Sequence, residues 1–372
     1  MLILSNDDVE KVLTMPLCIE ALEKAYHEMG KKLAINRPRS DMYVPIGEKG
    51  KIYIFKSMEG FNPSSGVVAL RICSDTIRWY PAEGGLRKEK MPALPGGTWL
   101  GLVWLFSAEN GEPLGLMQDG IIQKSRVAGS SAVSVKHLAR KDSSILGVLG
   151  SGWQAGAHVE AMSVVRPIRL VKAFSPNRSH REAFAKKMKE KLGIEVKACS
   201  AAKEAVCDSD IVACTTNCVE RVIDPDWVSL GQHYTCVKYN ELGYKTIEKC
   251  DVVVVNSRHW APDNFVPSLG EEALVAHDPM EIIGLERQSQ RTDDHKEPDW
   301  GKLPTLGDLL VGKVRGRNSD KEITCFVNPI GLGMQFAAVA SFVYQLARQA
   351  GLGNEIPTEW FLQKVQISTA PP

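Results

Sequence analysis

The sequence predicts an α/β protein: a doubly wound parallel sheet domain joined to an α+β domain made of N-terminal and C-terminal segments. Three observations lead there. A glycine turn at Gly150 and Gly152 separates a short apolar run from a helical pattern. The apolar runs after it alternate with polar helical segments, as a parallel sheet covered on both faces requires. The runs before it are β-rich and broken by Gly, Pro and charged turns, the texture of an antiparallel or mixed sheet. With 372 residues the chain is long enough for two domains. They are expected at 1–125 with 326–372, and at 126–325.

Lys and Arg number 45 against 44 Asp and Glu, so no global field draws nucleic acid or an anionic membrane. The start, Met-Leu-Ile-Leu-Ser-Asn-Asp-Asp, has no basic stretch followed by an apolar core, and no segment reaches the length of a membrane span. A cytoplasmic protein with neither nucleic acid nor membrane as partner is the expectation. The nine cysteines form no C-x-x-C pair and read as thiols in a reducing compartment. Cys214 and Cys218 lack the further ligands zinc needs, so no metal is expected.

In chain order, residues 6 to 31 open with a cap-like Asn and Asp and continue at helical spacing, predicting one or two amphipathic helices. Tyr43–Pro45, Ile52–Phe55, Val67–Ile72 and Leu100–Phe106 read as strands, and Asn110-Gly111 as a tight turn. Trp79 to Gly97, rich in Pro and Gly, is expected as a long surface loop able to act as a lid. Ser125 to Arg140 reads as a helix dense in small residues, leading into the glycine turn. Ile168–Phe174 follows as a second strand, and Ile194–Ala198, Ile211–Thr216, Gln232–Val237 and Val252–Asn256 as further ones. Residues 284 to 301 are charged and predict an exposed loop. After the strand Ile323–Val327 and the turn Asn328-Pro-Ile-Gly-Leu-Gly, a helix from Met334 to Gln349 is expected to return to the first domain.

The glycine turn carries the chemistry. Gly150 makes the tight bend, Gly152 lets backbone approach a pyrophosphate, and Ala155 permits close helix–strand packing, as in a Rossmann-type dinucleotide fold. The phosphates would sit at the helix N-terminus, Gly-Ser151-Gly-Trp-Gln, where free N–H groups favour an anion. The competing reading is an ordinary β-to-α turn. At the end of the second strand an NAD site usually carries an acid for the ribose hydroxyl. Here Ser175-Pro176-Asn177-Arg178 has none, and Arg178 suits a 2′-phosphate, so NADP(H) is expected over NAD(H). A solvated arginine after a turn proline is the alternative.

Several segments together resemble the ornithine cyclodeaminase and mu-crystallin family. They are Asn110-Gly-Glu-Pro-Leu-Gly-Leu-Met117, Ser125-Arg-Val-Ala-Gly-Ser-Ser-Ala132, the Gly-Ser-Gly-Trp-Gln-Ala turn, Gly231-Gln-His233, Leu306-Gly-Asp-Leu-Leu-Val-Gly-Lys and Arg317-Asn-Ser-Asp-Lys-Glu-Ile-Thr before Gly331. Their order and spacing extend to about residue 350. The resemblance implies a homodimer with a substrate and dimerisation domain and a central nicotinamide-binding domain, with hydride passing between nicotinamide C4 and the Cα of an amino acid or its imine. It also implies a small substrate bearing a carboxylate. Arg39 matches the family's carboxylate-binding arginine. Thr98 and Arg126 match contacts to cofactor or substrate, and Gly150, Gly152, Trp153 and Gln154 match the dinucleotide turn. Thr216, Tyr234 to Val237 and Lys245 match further cofactor contacts.

Three positions depart from the family pattern. Arg71 stands where lysine is usual, Asn240 where the cyclodeaminases have their catalytic aspartate, and Phe336 where an acid is common. An amide cannot take a proton from a side-chain amine, so Asn240 argues against ornithine cyclodeamination unless Glu241 has slipped into the role. Arginine stays charged and offers a fork to a carboxylate, so Arg39 and Arg71 are expected to clamp the substrate, with Arg126 on substrate or pyrophosphate. Proton delivery then falls to Lys56, His233 or Glu241. The reading preferred is an NADP(H)-dependent oxidoreductase acting on an imine, imino acid or amino acid. An ammonia-releasing cyclodeaminase with recycled NAD, and a dinucleotide-binding protein without catalysis, are the competing readings.

Overall fold

The computed structural model describes residues 1–47, 51–82, 85–218, 221–275 and 297–364. Seven short runs form one parallel sheet in the order Glu195–Ala198, Leu170–Phe174, Ile145–Leu149, Ile211–Cys214, His233–Cys236, Thr324–Val327, Val252–Val255. Ile211–Cys214 is buried at every position, which is why its sequence reads as a continuous apolar run; His233–Cys236 is equally buried but carries the polar His233 and Thr235. The chain first builds outward from Ile145–Leu149 on one side, then restarts at Ile211–Cys214 on the other. That reversal opens a crevice at the carboxyl ends of these two strands.

The second sheet is mixed and has eleven strands among the described residues. Its middle is the antiparallel run Ser40–Pro45, Lys51–Asn62, Val67–Ala82, Leu100–Ser107 and Pro113–Gln118. The hairpin at Asn110-Gly111 forms as expected, with Gly111 at a φ of 79°. Strand Asp263–Phe265 leaves the parallel sheet's neighbourhood and pairs parallel to Ser40–Pro45, so the chain crosses to the mixed sheet within 126–325.

Much of the stretch expected as a loop at Trp79 to Gly97 is strand instead. Val67–Ala82 runs on through it, and Gly85–Met91 pairs back antiparallel, with Trp79 opposite Lys88. The sequence hid this ribbon because its return strand, Gly-Leu-Arg-Lys-Glu-Lys-Met, is charged rather than alternately apolar; Arg78 meets Glu89 and Lys90 meets Asp75, each at 2.7 Å. Residues 83–84 lie outside the described residues.

The first helices are Asn6–Val12 and Met15–Gly30. The cap of the first is Ser5, not the expected Asn6 or Asp7; its hydroxyl accepts from the Asp8 N–H while the Asp8 carboxylate accepts from the Ser5 N–H. The small-residue helix, Gly120–Leu138, begins five residues before the expected Ser125 and is buried along almost all its length from Ser125 to Val135. It packs against Met15–Gly30 on one side and Trp153–Val165 on the other, so it joins the two sheets. The helix Gly333–Gln349 lies on strands Lys51–Asn62 and Val67–Ala82, the expected return to the first sheet.

Of the expected exposed loop at 284–301, residues 284–296 lie outside the described residues. Its end is anchored rather than exposed: Trp300 is buried and stacks on Trp260 with ring centroids 5.8 Å apart. No helix among the described residues is long and apolar enough to cross a membrane.

Candidate functional site

The sequence-predicted dinucleotide residues share one edge of the parallel sheet. Gly150 follows Leu149, Ser175 follows Phe174, Thr216 stands two residues past Cys214 and Val237 follows Cys236, all at carboxyl ends of strands. Gly150 has a φ of 121°, and a Cβ there would lie 2.7 Å from the Thr215 carbonyl oxygen, so no other residue fits the bend. Gly152 caps the helix Trp153–Val165 with no side-chain hydrogen bond to its first N–H groups. A Cβ on Gly152 would meet nothing within 4 Å. The uncapped helix start therefore opens onto space where an anion could be received by backbone N–H groups.

Neighbouring side chains suit the same ligand. Gln154 Oε1 is buried without a hydrogen-bond partner, an acceptor placed for a ligand donor. Ser151 Oγ donates to Ser175 Oγ at 3.0 Å, tying the turn to the second strand. Asn177 caps the helix Arg178–Leu192, accepting from the His180 N–H at 3.0 Å. Arg178 is exposed and pairs with Glu182 at 2.7 Å, free to exchange that exposed partner for a phosphate. Trp153 is half exposed, with Lys124 Nζ 5.8 Å from its ring centroid. Lys245 and Thr98 are both exposed; Thr98 sits in a tight loop bridged to Leu94.

The second half of the site is one face of the mixed sheet. Residues paired across strands point the same way. Asp41 pairs with Lys56, Lys56 with Cys73, and Met58 with Arg71, so Asp41, Lys56, Cys73, Arg71 and Asp75 share a face. Arg39 is bound by the buried Asp41 through Nε at 2.7 Å and through Nη2. Arg71 is buried, its Nε donating to the buried Asp119 carboxylate at 2.7 Å, with Nη2 in ionic contact with the same oxygen at 2.6 Å. Lys90 lies 2.7 Å from Asp75 Oδ1, an ionic contact without an aligned hydrogen bond.

Arg126 enters from the helix Gly120–Leu138. It is 3 % exposed, and its hydrogen-bond partners are neutral: Gln123 Oε1 at 2.6 Å and Gln335 Oε1 at 2.9 Å. Burial, and then the nearby Arg71, push its guanidinium down to about 9. The Gly331 turn closes over it, since a Cβ at Gly331 would lie 2.8 Å from Arg126 Nη2. Asn256 holds that turn by donating to Asn328 Oδ1 at 2.8 Å and to the Ile330 carbonyl. A buried cation with neutral partners beside a second cation is a receptor for an anion.

Two expected acid–base residues have other work. Glu241 is fully buried, its carboxylate accepting from the N–H and hydroxyl of Thr216 at 2.6 and 2.8 Å and from the N–H groups of Val237 and Lys238 at 3.0 and 3.1 Å. Burial raises its carboxyl above the usual range, and the Thr216 hydrogen bonds work against that. It braces two cofactor-side loops rather than presenting a base. His233 is buried between Thr324 Oγ1 at 2.9 Å and Ser134 Oγ at 3.3 Å, and burial pulls its imidazole down to about 3. A histidine so placed is a neutral core residue, not a proton carrier. Asn240 is half-buried in the single turn Tyr239–Glu241.

Sequence reasoning missed Asp41, Asp75, Asp119 and Gln335. Asp119 lies before the helix start expected at Ser125; it occupies the cap position of Gly120–Leu138, but its carboxylate caps nothing and serves Arg71. Gln335 reads as one more residue of an apolar helix, yet it bridges Arg126, Tyr26 and Ser130.

The profile of the ornithine cyclodeaminase/mu-crystallin family matches residues 2–351. A Delta(1)-pyrroline-2-carboxylate reductase of Bacillus cereus is 30 % identical over 69 % of this chain and 74 % of its own. The structure of Thermococcus litoralis Delta(1)-pyrroline-2-carboxylate reductase in complex with NADH and L-proline superposes with a TM-score of 0.74, at 28 % identity, covering 96 % of this chain and 100 % of that one. An archaeal alanine dehydrogenase dimer with bound NAD gives a TM-score of 0.71 at 25 % identity, covering 96 % and 99 %.

Proposed function

The chain belongs to the ornithine cyclodeaminase/mu-crystallin family, and from that premise we propose that it is an NAD(P)H-dependent oxidoreductase of α-imino acids, or of the amino acids they become. The observation that carries this reading is Arg126, a buried guanidinium with neutral partners beside Arg71. A substrate carboxylate supplies the missing charge, with Arg39 and Arg71 as flanking donors. The cofactor, when bound along the glycine turn, supplies hydride at nicotinamide C4. The chain fixes the carboxylate so that the imine carbon is held in place, and its buried cations stabilise the anion in a water-poor site. Cyclodeamination is the weaker reading. Asn240 is an amide, and Glu241 is engaged in four hydrogen bonds.

The preference for NADP(H) rests on the absence of an acid from Ser175 to Arg178 and on the exposed Arg178. Gly150, Ser151, Gly152, Gln154, Ser175 and Asn177 are the proposed cofactor shell on that side, with Thr216 and Val237 on the other. The boundaries proposed for the two domains remain 1–125 with 326–372, and 126–325. A homodimer is supported by the outward face of the mixed sheet, where Leu70, Ile72, Leu102, Trp104, Phe106 and Leu116 form an apolar half-buried layer. A cytoplasmic location is supported by nine free thiols.

The test is direct. NADPH and NADH are titrated by fluorescence, and absorbance of the reduced nicotinamide is followed with pyruvate plus methylamine, a cyclic ketimine acid, and ornithine. Tighter binding of NADPH and its oxidation by an imine are expected. Ammonia release from ornithine without net cofactor oxidation would put the cyclodeaminase in place of the oxidoreductase.

A further inference from the structure

Adding hydride to an imine carbon leaves the nitrogen in need of a proton, and Arg39 and Arg71 are each held by a carboxylate. Lys56 and Lys90 lie on the inner face of the mixed sheet. Lys90 is held by Asp75 at 2.7 Å and is largely exposed. Lys56 is different. It stands in the middle strand, opposite Asp41 on one side and Cys73 on the other, and is the diagonal neighbour of Arg71, whose direct partner is Met58. Diagonal positions on one sheet face lie within reach of long side chains. Among the described residues Lys56 makes no hydrogen bond or ion pair, while Arg39 and Arg71 on either side are both fixed to carboxylates. Among the described residues Lys56 is thus an ammonium not committed elsewhere, one pair along the sheet face from Arg71.

We propose that Lys56 is the proton donor of the reaction. Its ammonium gives one proton to the imine nitrogen as hydride forms the new C–H bond. The C=N π pair becomes the N–H bond, the nicotinamide is oxidised, and neutral Lys56 is reprotonated by water. In the amino-acid-oxidising direction the neutral amine takes the proton back. The role rests on the oxidoreductase reading of the site.

The surroundings favour proton release. Burial, then the charge of Arg39, holds the Lys56 ammonium below the ordinary lysine value, and Asp41, Asp75 and Cys73 oppose this. Tyr43 and Asp41 face it from strand Ser40–Pro45, and Arg71, Cys73 and Asp75 from Val67–Ala82. Lys90 stands behind Asp75, Asp119 behind Arg71, and the helix Gly333–Gln349 adds Phe336, which does not titrate.

The experiment compares wild type with Lys56→Met, Lys56→Arg and Lys56→Ala, using NADPH with pyruvate plus methylamine and with a cyclic ketimine acid. Wild-type kcat/KM for reduction is expected to fall as pH rises through the Lys56 ionisation. Both Lys56→Met and Lys56→Arg are expected to lose roughly 100-fold or more and to lack that limb, because arginine keeps the charge but not the proton transfer. In Lys56→Ala, assayed with the cyclic ketimine acid alone, added small primary amines restore rate in proportion to concentration. NADPH affinity and melting temperature stay at wild-type values, which separates lost chemistry from lost folding. Lys56→Arg at wild-type activity, or Lys56→Met within threefold of it, overturns the role and leaves the oxidoreductase reading intact. A wild type that binds NADPH but reduces neither imine overturns that reading and the role with it.

Discussion

Arg71 and Arg126 share one aromatic ring, their guanidinium carbons lying 5.4 and 5.0 Å from the centroid of Phe336. The ring face attracts both cations without neutralising either. Asp119 balances Arg71, while Arg126 is left with two glutamine carbonyls. An acid at position 336 would have balanced the second charge from within the protein. Phenylalanine there keeps the site positive until an anion enters.

Arg126→Met is therefore expected to lower kcat/KM by roughly 100-fold, the worth of one or two charge-assisted hydrogen bonds. The loss should appear mainly in KM for the carboxylate substrate. Phe336→Leu removes the ring interaction along with some core volume and should cost about fivefold in kcat/KM. Steady-state kinetics with varied imino acid checks both, and equal KM values in Arg126→Met and wild type would refute the carboxylate assignment.

The two glycines of the turn separate folding from binding. Gly150→Ala places a Cβ 2.7 Å from the Thr215 oxygen at a φ of 121° and should lower the melting temperature. Gly152→Ala meets no protein atom within 4 Å, so it should leave the melting temperature unchanged while weakening NADPH binding at least tenfold. Thermal melts beside fluorescence titrations decide this. A Gly152→Ala protein with wild-type NADPH affinity would remove the pyrophosphate from the turn.

Cofactor choice is expected to lie with Arg178. Arg178→Ala should weaken NADPH about tenfold and leave NADH within twofold, since only the 2′-phosphate loses a partner. Equal effects on both cofactors would move the preference to another residue.

Acid sensitivity follows from two buried histidines. Burial pulls His158 down to about 4 and His233 to about 3, from an ordinary value near 6.5. Both are neutral in the folded protein and bind protons more readily when unfolded. Their contribution is complete above pH 6.5 and is lost as pH falls toward the folded values, at about 1.4 kcal/mol per pH unit for each. Urea unfolding at pH 7 and pH 5 should show the drop, and His158→Gln should reduce it. If stability fell with pH just as steeply in that variant, His158 would not be the source of the loss.

The glycine turn and the arginines were legible in the sequence because residue type carries their chemistry. Only glycine fits at position 150, while Arg71 and Arg126, which the family resemblance and residue type pointed to, do meet around Phe336. The ribbon through Gly85–Met91 was not legible, because its return strand is charged rather than alternately apolar. The bracing role of Glu241 was hidden as well. Its donors come from Thr216 and from Val237 and Lys238, in loops that only the parallel sheet brings together. Asp119 went unremarked, since local sequence cannot show that Arg71, 48 positions earlier, reaches it.

Hydride transfer between nicotinamide and an imine carbon is the central claim. Its most direct test uses NADPH carrying deuterium at the transferable C4 position, with pyruvate and methylamine or a cyclic ketimine acid, and mass spectrometry of the product. The predicted product is an amino acid bearing one deuterium at Cα, formed in step with cofactor oxidation. A product without deuterium, or ammonia released from ornithine while the cofactor keeps its label, would contradict it.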